Sequence, residues 1–203
     1  MDETFTLLPL QIDPTSKAIT SPTTTLTPHL TSLHALHRQL LSLERQTPPP
    51  PMPVNPKRSA QIQKMRDQGN ASLRTSKSSP SPTQAQEAIK LYTYGIEMAL
   101  GRPSWEPAQL VREEVGVLFA NRAQAYMAAQ MWAEGAADAE TSVEMKRVGN
   151  GKAWWRRGWC LCEMGRWEDA RKWVLEGLEV EGNEGDLGAL MKEIGGHLEQ
   201  GKR

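Results

Sequence analysis

The second half of the chain matches itself when it is shifted by 35 residues. The shift places bulky residues on bulky ones and small residues on small ones. The shift aligns six residues with six others: Phe119, Ala123, Tyr126, Trp132, Gly135 and Ala139 with Trp154, Gly158, Leu161, Trp167, Ala170 and Val174. Self-similarity at this period is typical of solenoids, in which each unit is a pair of helices that packs on the next pair. The sequence therefore predicts a mainly α-helical stack.

Within each unit, a bulky, a small and a bulky position are followed by an aromatic residue and another small residue. Two helices approach closely only where one of them carries small side chains. This order resembles the tetratricopeptide repeat, and the resemblance implies three repeats and a C-terminal capping helix within residues 57–203. Helices are expected at Ser59 to Leu73, Gln84 to Leu100, Ala108 to Ala129, Trp132 to Arg147, Lys152 to Glu163, Arg166 to Val180 and Asp186 to Glu199.

The N-terminal segment, residues 1–46, has a different pattern. Two short strands are expected around Asp13-Pro14, a dipeptide that favours a turn, and a helix is expected from Thr27 and Pro28. That helix would carry a leucine stripe formed by Leu30, Leu33, Leu36, Leu40 and Leu43. Because so small a unit rarely folds alone, we expect a small α/β unit whose stripe docks on the repeats or on another chain. A frayed arm is the alternative.

Residues 47–56 separate this unit from the repeats. The segment contains six of the fourteen prolines of the chain. This composition favours an extended polyproline II conformation, which acts as a semi-rigid spacer. We interpret it as the linker between two domains, residues 1–46 and residues 57–203. A ligand for a proline-binding module is the alternative interpretation.

Charge and hydropathy limit the classes of function. The 203 residues include 24 basic and 24 acidic side chains, a balance that argues against binding to nucleic acid through bulk electrostatics. The longest apolar runs fall far below the roughly 18 residues that a membrane-spanning helix needs, and the N-terminus does not resemble a secretory signal. We therefore expect a cytosolic protein that reaches a membrane only through a partner, without direct membrane insertion.

The sequence offers little support for enzymatic or metal chemistry. Cys160 and Cys162 stand two apart in a helical pattern, so their thiols point in different directions. No second cysteine pair and no histidine within the repeats completes a metal site, and neither a phosphate-binding loop nor a nucleophile beside a base is found. We expect no cofactor, no metal and no catalysis, and we interpret the cysteines as reduced packing residues.

Five polar residues occupy matched places on the first helices of successive repeats. Arg66 and Asn70 lie four apart on the first, Asn121 lies at the matching point of the second, and Lys152 and Arg156 lie four apart on the third. Residues four apart share a helix face, and the first helices line the concave face of such a stack. Because these side chains donate well to carboxylates, the set predicts a site that binds two carboxylates. Solvated helix-face residues are the alternative.

This set resembles the dicarboxylate clamp of chaperone-binding tetratricopeptide domains, in the motifs Arg66-Asp-Gln-Gly-Asn70, Asn121-Arg-Ala-Gln-Ala-Tyr126 and Lys152-Ala-Trp-Trp-Arg156. The resemblance implies that the site holds the acidic C-terminal tail of cytosolic Hsp70, or of Hsp90, by its free carboxylate. Arg66 stands where lysine is commonest in that family. Its charge fits the pattern, and its geometry is left open.

The order of a small N-terminal unit, a linker, three repeats and a cap, together with the segment Arg102-Pro-Ser-Trp-Glu106, resembles the tetratricopeptide subunit of the fungal Sec complex. The resemblance implies a non-enzymatic docking subunit, peripheral on the cytosolic face of the endoplasmic reticulum membrane, that receives Hsp70 in post-translational translocation. A membrane-anchored subunit of the Sec complex would hold it there, and the leucine stripe is the expected interface. A soluble Hsp70 or Hsp90 co-chaperone with the same clamp is the alternative.

Overall fold

The structure of the chain is a computed structural model that describes residues 7–41, 56–74, 80–182 and 185–200. These residues form two compact units. The first comprises residues 7–41 together with Pro103–Glu106, and the second comprises the described residues of 56–102 and 107–200. Helices dominate, and the first unit contains a small antiparallel sheet. The predicted fold class, mainly α with a small α/β unit at the N-terminus, is confirmed.

In the first unit, strand β1, Gln11–Ile12, pairs antiparallel with strand β2, Ile19–Thr20. The carboxylate of Asp13 accepts hydrogen bonds from the backbone amides of Thr15 and Ser16, at 2.9 and 2.6 Å. The bonds from Ser16 and then Thr15 hold the pKa of Asp13 below its ordinary value. The predicted Asp-Pro turn is therefore closed by the aspartate side chain itself.

Helix α1, Thr27–Leu41, follows a short 3-10 turn. The amide of Ile19 donates a 2.8 Å hydrogen bond to Nε2 of His34, which ties α1 to the sheet. The predicted stripe lies along this helix, where Leu30, Leu36 and Leu40 are half-buried and Leu33 is exposed. Leu43 and residues 47–55 of the predicted linker lie outside the described residues.

The second unit is a stack in which each helix packs on the next one along the chain. Its helices are α2, Pro56–Arg74; α3, Pro82–Leu100; α4, Ala108–Ala128; α5, Trp132–Met145; α6, Gly151–Glu163; α7, Trp167–Glu181; and α8, Gly185–Gln200. All seven agree with the predicted helices to within three residues at either end. The first six helices form the three repeats, and α8 packs on both α6 and α7 as the cap.

Neighbouring helices approach closely at glycine. A Cβ atom added to Gly69 would lie 2.6 Å from the ring of Tyr92, and one added to Gly158 would lie 2.5 Å from Cγ2 of Val174 and 2.9 Å from Cδ2 of Leu190. Carbon atoms do not approach so closely without repulsion. The small positions found in the sequence repeat are therefore the points at which the helices of the stack meet.

The tryptophans on α6 divide between two environments. Trp154 is fully buried, its ring lies 4.3 Å from that of Trp173, and its Nε1 donates to the carbonyl of Arg147 at 3.1 Å. Trp155 and Trp159 are half-buried and stack on each other, with ring centroids 5.4 Å apart. Adjacent residues on a helix point about 100° apart, and Trp154 accordingly lies inside the core cluster while Trp155 packs against the same cluster from a half-buried position.

Both cysteines are buried in the repeats as free thiols. Burial raises the pKa of Cys160 to about 12 and that of Cys162 to about 11. A thiol with so high a pKa is a poor nucleophile and a poor metal ligand at neutral pH. Within the described residues, no group of three or more histidine, cysteine or acidic side chains is placed to hold a metal.

Arg102 lies in the turn that follows α3, and it is buried within the second unit. Its Nε and Nη2 atoms donate to the Glu114 carboxylate of α4 at 2.8 and 2.7 Å, and Nη2 also donates to Ser59 of α2 at 2.9 Å. A bidentate pair of this kind fixes orientation as well as charge. The segment Arg102-Pro-Ser-Trp-Glu106, on which the resemblance to the Sec subunit partly rests, thus begins with a residue that connects the first two repeats.

We expect Gly158→Ala to lower the free energy of unfolding by roughly 1–3 kcal/mol, because the added methyl group collides with Val174 and Leu190. Gly196→Ala is the matched control, since no atom lies within 4 Å of the Cβ position there. Alanine in that helical position should raise the stability by about 0.5–1 kcal/mol. Urea denaturation measures both changes. Equal effects at the two positions would contradict the packing described here.

Candidate functional site

A groove of about 460 Å³ lies on the face formed by α2, α4 and α6, the first helices of the three repeats. Its charged and amide-bearing lining residues are Asn70, Arg74, Glu113, Asn121, Gln124, Lys146, Asn150, Lys152 and Arg156. We call it the basic groove, because four of these side chains are cationic and one is acidic. A groove with this charge attracts an anionic ligand.

The structure brings four of the five predicted residues together. Asn70, Asn121, Lys152 and Arg156 all line the basic groove. Arg66 lies one turn before Asn70 on α2 and outside that lining. Its Nε atom is 3.7 Å from the carboxylate of Asp67, and its side chain is 34% exposed. A part in ligand binding stays a prediction for all five residues, and Arg66 would have to turn toward the groove.

The two asparagines are joined in a network that includes Tyr92. The Tyr92 hydroxyl donates to Oδ1 of Asn70 at 2.8 Å, and Nδ2 of Asn121 donates to the same oxygen at 3.3 Å. Because Oδ1 of Asn70 accepts both bonds, its amide NH₂ group takes no part in them, and Asn70 lines the groove with this donor. Tyr92 is buried on α3, and its part in the site was not predicted from the sequence.

Arg156 is held against α4. Its Nη1 donates to the carbonyl of Ala120 at 3.0 Å, and its Nη2 donates to Oε1 of Gln124 at 2.8 Å. Burial lowers the pKa of Arg156, but Tyr92 and Cys160 oppose this effect. An arginine remains protonated at neutral pH. The groove therefore contains a cation whose position is fixed before any ligand binds.

Lys152, Arg74 and Lys146 complete the cationic lining. The side chains of all three are exposed, and none has a hydrogen-bond or ion-pair partner among the residues that the structure describes. Arg74 lies four residues after Asn70 on α2, so helical spacing alone would have found it. Lys146 was predicted to lie inside a helix. In the structure α5 ends at Met145 and Lys146 is its extended C-cap, which places it on the groove.

Arg122, next to Asn121, has a structural part. Its Nε and Nη2 atoms donate to the Asp138 carboxylate of α5 at 2.6 and 2.9 Å, and its Nη1 donates to Thr93 of α3 at 2.9 Å. Arg122 therefore forms an ion pair between two helices. Of these two adjacent residues on α4, Asn121 thus lines the groove and Arg122 connects helices of the stack.

The helix pairs, their small contact positions and the groove define the class: the chain has a tetratricopeptide-repeat fold. Its fold is similar to that of a chain in the cryo-EM structure of the Sec complex from S. cerevisiae, with a TM-score of 0.69 and 21% identity over 94% of this chain and 98% of that chain. It is also similar to the second tetratricopeptide domain of human RPAP3 in complex with an HSP70 peptide, with a TM-score of 0.53 and 23% identity over 68% and 97% of the two chains.

In sequence, the chain is 36% identical over 133 residues to the ER protein translocation subcomplex subunit sec67 of Schizosaccharomyces pombe. The alignment covers 64% of this chain, and the chain spans 65% of the length of that relative. The predicted resemblance to the tetratricopeptide subunit of the fungal Sec complex is confirmed. No family model matches the chain. Among the described residues, no helix is both long and apolar enough to cross a membrane.

Lys152 and Arg122 should differ in how much each contributes to the free energy of unfolding. We expect Lys152→Ala to change the free energy of unfolding by less than about 0.5 kcal/mol, because the ammonium group has no described partner. Arg122→Ala should lower it by about 3–5 kcal/mol, since it leaves the buried Asp138 carboxylate without its cation. Chemical denaturation distinguishes the two. A large loss with Lys152→Ala would mean that this residue is part of the fold rather than of a binding surface.

Proposed function

We propose that the chain is a non-enzymatic docking subunit of the translocation machinery of the endoplasmic reticulum. In this proposal its basic groove binds the acidic C-terminus of cytosolic Hsp70 and so helps to deliver precursors for post-translational translocation. The homology to an ER protein translocation subunit supports the place of action. The chemistry of the basic groove supports the ligand.

The observation that carries the proposal is the set of donors that converge on one groove. Two amides, Asn70 and Asn121, are oriented by hydrogen bonds, Arg156 is fixed by two bonds to α4, and Lys152 is unpaired among the described residues. Groups of this kind bind carboxylates through charge-assisted hydrogen bonds. A peptide end that presents its terminal carboxylate and an aspartate side chain matches the groove in charge and in donor number.

The peptides bound by related domains share such an end. The human RPAP3 domain described above binds the HSP70 peptide SGPTIEEVD, and the first tetratricopeptide domain of Spaghetti (RPAP3) binds the HSP90 peptide SRMEEVD. Both sequences end in EEVD. By analogy we propose Hsp70 as the partner of this chain and Hsp90 as a second possible ligand of the same groove.

The first unit gives a reason to prefer a membrane-bound subunit over a soluble co-chaperone. Within that unit Ile12 is 65% exposed, and on α1 Leu41 and the stripe residue Leu33 are 60% and 41% exposed. Exposed apolar side chains are one mark of a protein interaction site. We propose that this unit binds a membrane-anchored subunit of the Sec complex, which would hold the chain as a peripheral protein on the cytosolic face of the endoplasmic reticulum. A soluble co-chaperone would need no such surface.

A short peptide that ends in Glu-Glu-Val-Asp should bind the chain with micromolar affinity, near −8 kcal/mol. Amidation of its C-terminus should nearly abolish binding, because the free carboxylate is the group that the groove neutralises. Lys152→Ala and Arg156→Ala should each weaken binding by about 1–3 kcal/mol, as expected for charge-assisted bonds. Isothermal titration calorimetry measures these affinities.

Lys172→Ala is the matched control for Lys152→Ala, because Lys172 is an exposed lysine on α7 outside the groove lining. It removes the same charge and should leave the affinity unchanged. Equal affinity for the free acid and the amide, or equal losses from Lys152→Ala and Lys172→Ala, would refute carboxylate binding in the basic groove.

A fragment that begins at Val54 should separate the two proposed activities. It retains the described helices of the second unit, and therefore the whole basic groove, but lacks α1 and the sheet. We expect it to bind the acidic peptide like the full chain and to fail to co-purify with a membrane-anchored subunit of the Sec complex from native membranes. Circular dichroism checks that the fragment is folded. Membrane association that survives the truncation would place the assembly surface on the repeats instead.

A further inference from the structure

A second cleft, of about 340 Å³, lies between α6 and α8. Trp155 and Trp159 of α6 form one side, and Asp186, Ala189, Leu190 and Glu193 of α8 form the other. We call it the tryptophan cleft. It combines two aromatic rings with two carboxylates, whereas the basic groove combines cations with amides. The two concavities therefore favour ligands of opposite charge.

The rings of the tryptophan cleft differ from those of Trp154 and Trp173 in having no cation over them, while Trp167 of α7 stacks on the ring of His197. Arg147 lies over Trp154 at 5.7 Å, and Arg157 lies over Trp173 at 4.2 Å. Within the described part of the chain, no arginine or lysine lies over Trp155 or Trp159. Cations bind the face of tryptophan more strongly than that of any other side chain. The exposed ring surface of this pair is therefore a place for a cation from outside the chain.

The acidic residues of the cleft are also unpaired. Asp186 and Glu193 are exposed, and neither forms an ion pair with a described residue. They lie seven residues apart, which is close to two helical turns, so both carboxylates lie on one side of α8. A cation over the tryptophan rings would have these carboxylates beside it, and the contact would gain from both interactions.

The tryptophan cleft and the basic groove share one face of α6. Lys152, Trp155, Arg156 and Trp159 follow one another at spacings of three, one and three residues, the pattern of a single helical stripe. Along the helix axis, Trp159 is about 10 Å from Lys152 at 1.5 Å per residue. An extended peptide covers that distance in about three residues, at roughly 3.3 Å per residue. One bound peptide can therefore reach both places.

We propose that the tryptophan cleft binds an arginine or lysine side chain located upstream of the acidic end in the same peptide that occupies the basic groove. The proposal rests on the proposed function of that groove. It adds a rule of specificity: among acidic-ended ligands, the chain binds more tightly those that carry a cationic residue a few positions before the end, as SRMEEVD does and SGPTIEEVD does not. A peptide without such a residue still binds, but through the basic groove alone.

An arginine scan of the ligand tests this rule. The probe is a peptide that ends in Glu-Glu-Val-Asp, with arginine placed at each preceding position in turn and with alanine and leucine at the same position as references. We expect arginine at one or two adjacent positions to tighten binding to the full chain roughly three- to tenfold over alanine. Leucine should give less, because it lacks the charge that Asp186 and Glu193 attract.

Variants of the cleft identify where the arginine binds. Glu193→Gln and Asp186→Asn should each reduce the preference for arginine without changing the affinity for the alanine peptide, and Trp159→Phe should reduce it as well. Glu179→Gln is the matched control, because Glu179 is an exposed glutamate on α7 outside the cleft. It should leave the preference intact. The carboxylate changes are on the surface, so they test the proposal even if a tryptophan variant fails to fold.

The possible outcomes separate the two hypotheses. If no acidic peptide binds, with or without arginine, the proposed function of the basic groove fails. If the alanine peptide binds and arginine gives no gain at any position, or leucine gives the same gain, the basic groove stands and the cation site is refuted. An arginine preference that survives Glu193→Gln, Asp186→Asn and Trp159→Phe would place the cation elsewhere and would overturn the assignment to this cleft.

Discussion

Close contact between helices at glycine positions is the constraint on which the stack depends. Gly69 has Tyr92 directly against it, Gly158 has Val174, and the Cβ position of Gly177 lies 3.1 Å from the ring of Trp154. A side chain at any of these positions would push two helices apart. The spacing between helices in turn sets the distance between side chains on α2, α4 and α6, so the geometry of the basic groove follows from packing that occurs behind it.

Tyr92 connects that packing to the groove. Its ring fills the space opposite Gly69, and its hydroxyl orients the amide of Asn70. Burial raises the pKa of Tyr92 to about 12, so the hydroxyl remains a proton donor throughout the physiological range. The direction of the Asn70 amide therefore does not change with pH. One buried side chain thus supports the fold and presets a donor of the candidate site.

Buried and half-buried arginines have two different parts in the second unit. Arg102 and Arg122 are paired with carboxylates of the neighbouring helices and hold the repeats together. Arg156 is bound to a carbonyl and an amide oxygen, and among the described residues no carboxylate pairs with it. It is this absence of a carboxylate partner that leaves Arg156 available to an anionic ligand. Residue type alone does not separate these cases, because the partners come from other helices.

Local periodicity was enough to predict the repeats, the cap, the short hairpin and α1. Each of these depends on spacing along a single segment, such as the small positions that Gly158 and Ala170 occupy, or on turn chemistry such as that of Asp13. Periodicity also identified Asn70, Asn121, Lys152 and Arg156, because equivalent positions of a regular stack converge. The position of a residue within its repeat can be read from a single sequence.

The tertiary structure decided what depends on contacts between segments. It added Tyr92 to the site from the second helix of the first repeat, and it brought Lys146 to the groove because α5 ends early. It left Arg66 outside the lining, and it placed two tryptophans of α6 and two acids of α8 around one cleft. The sequence determined that helix pairs would stack with a polar concave face. Which side chains meet across that face was set by the helix ends and by close packing at glycine, and neither can be read from spacing along one helix.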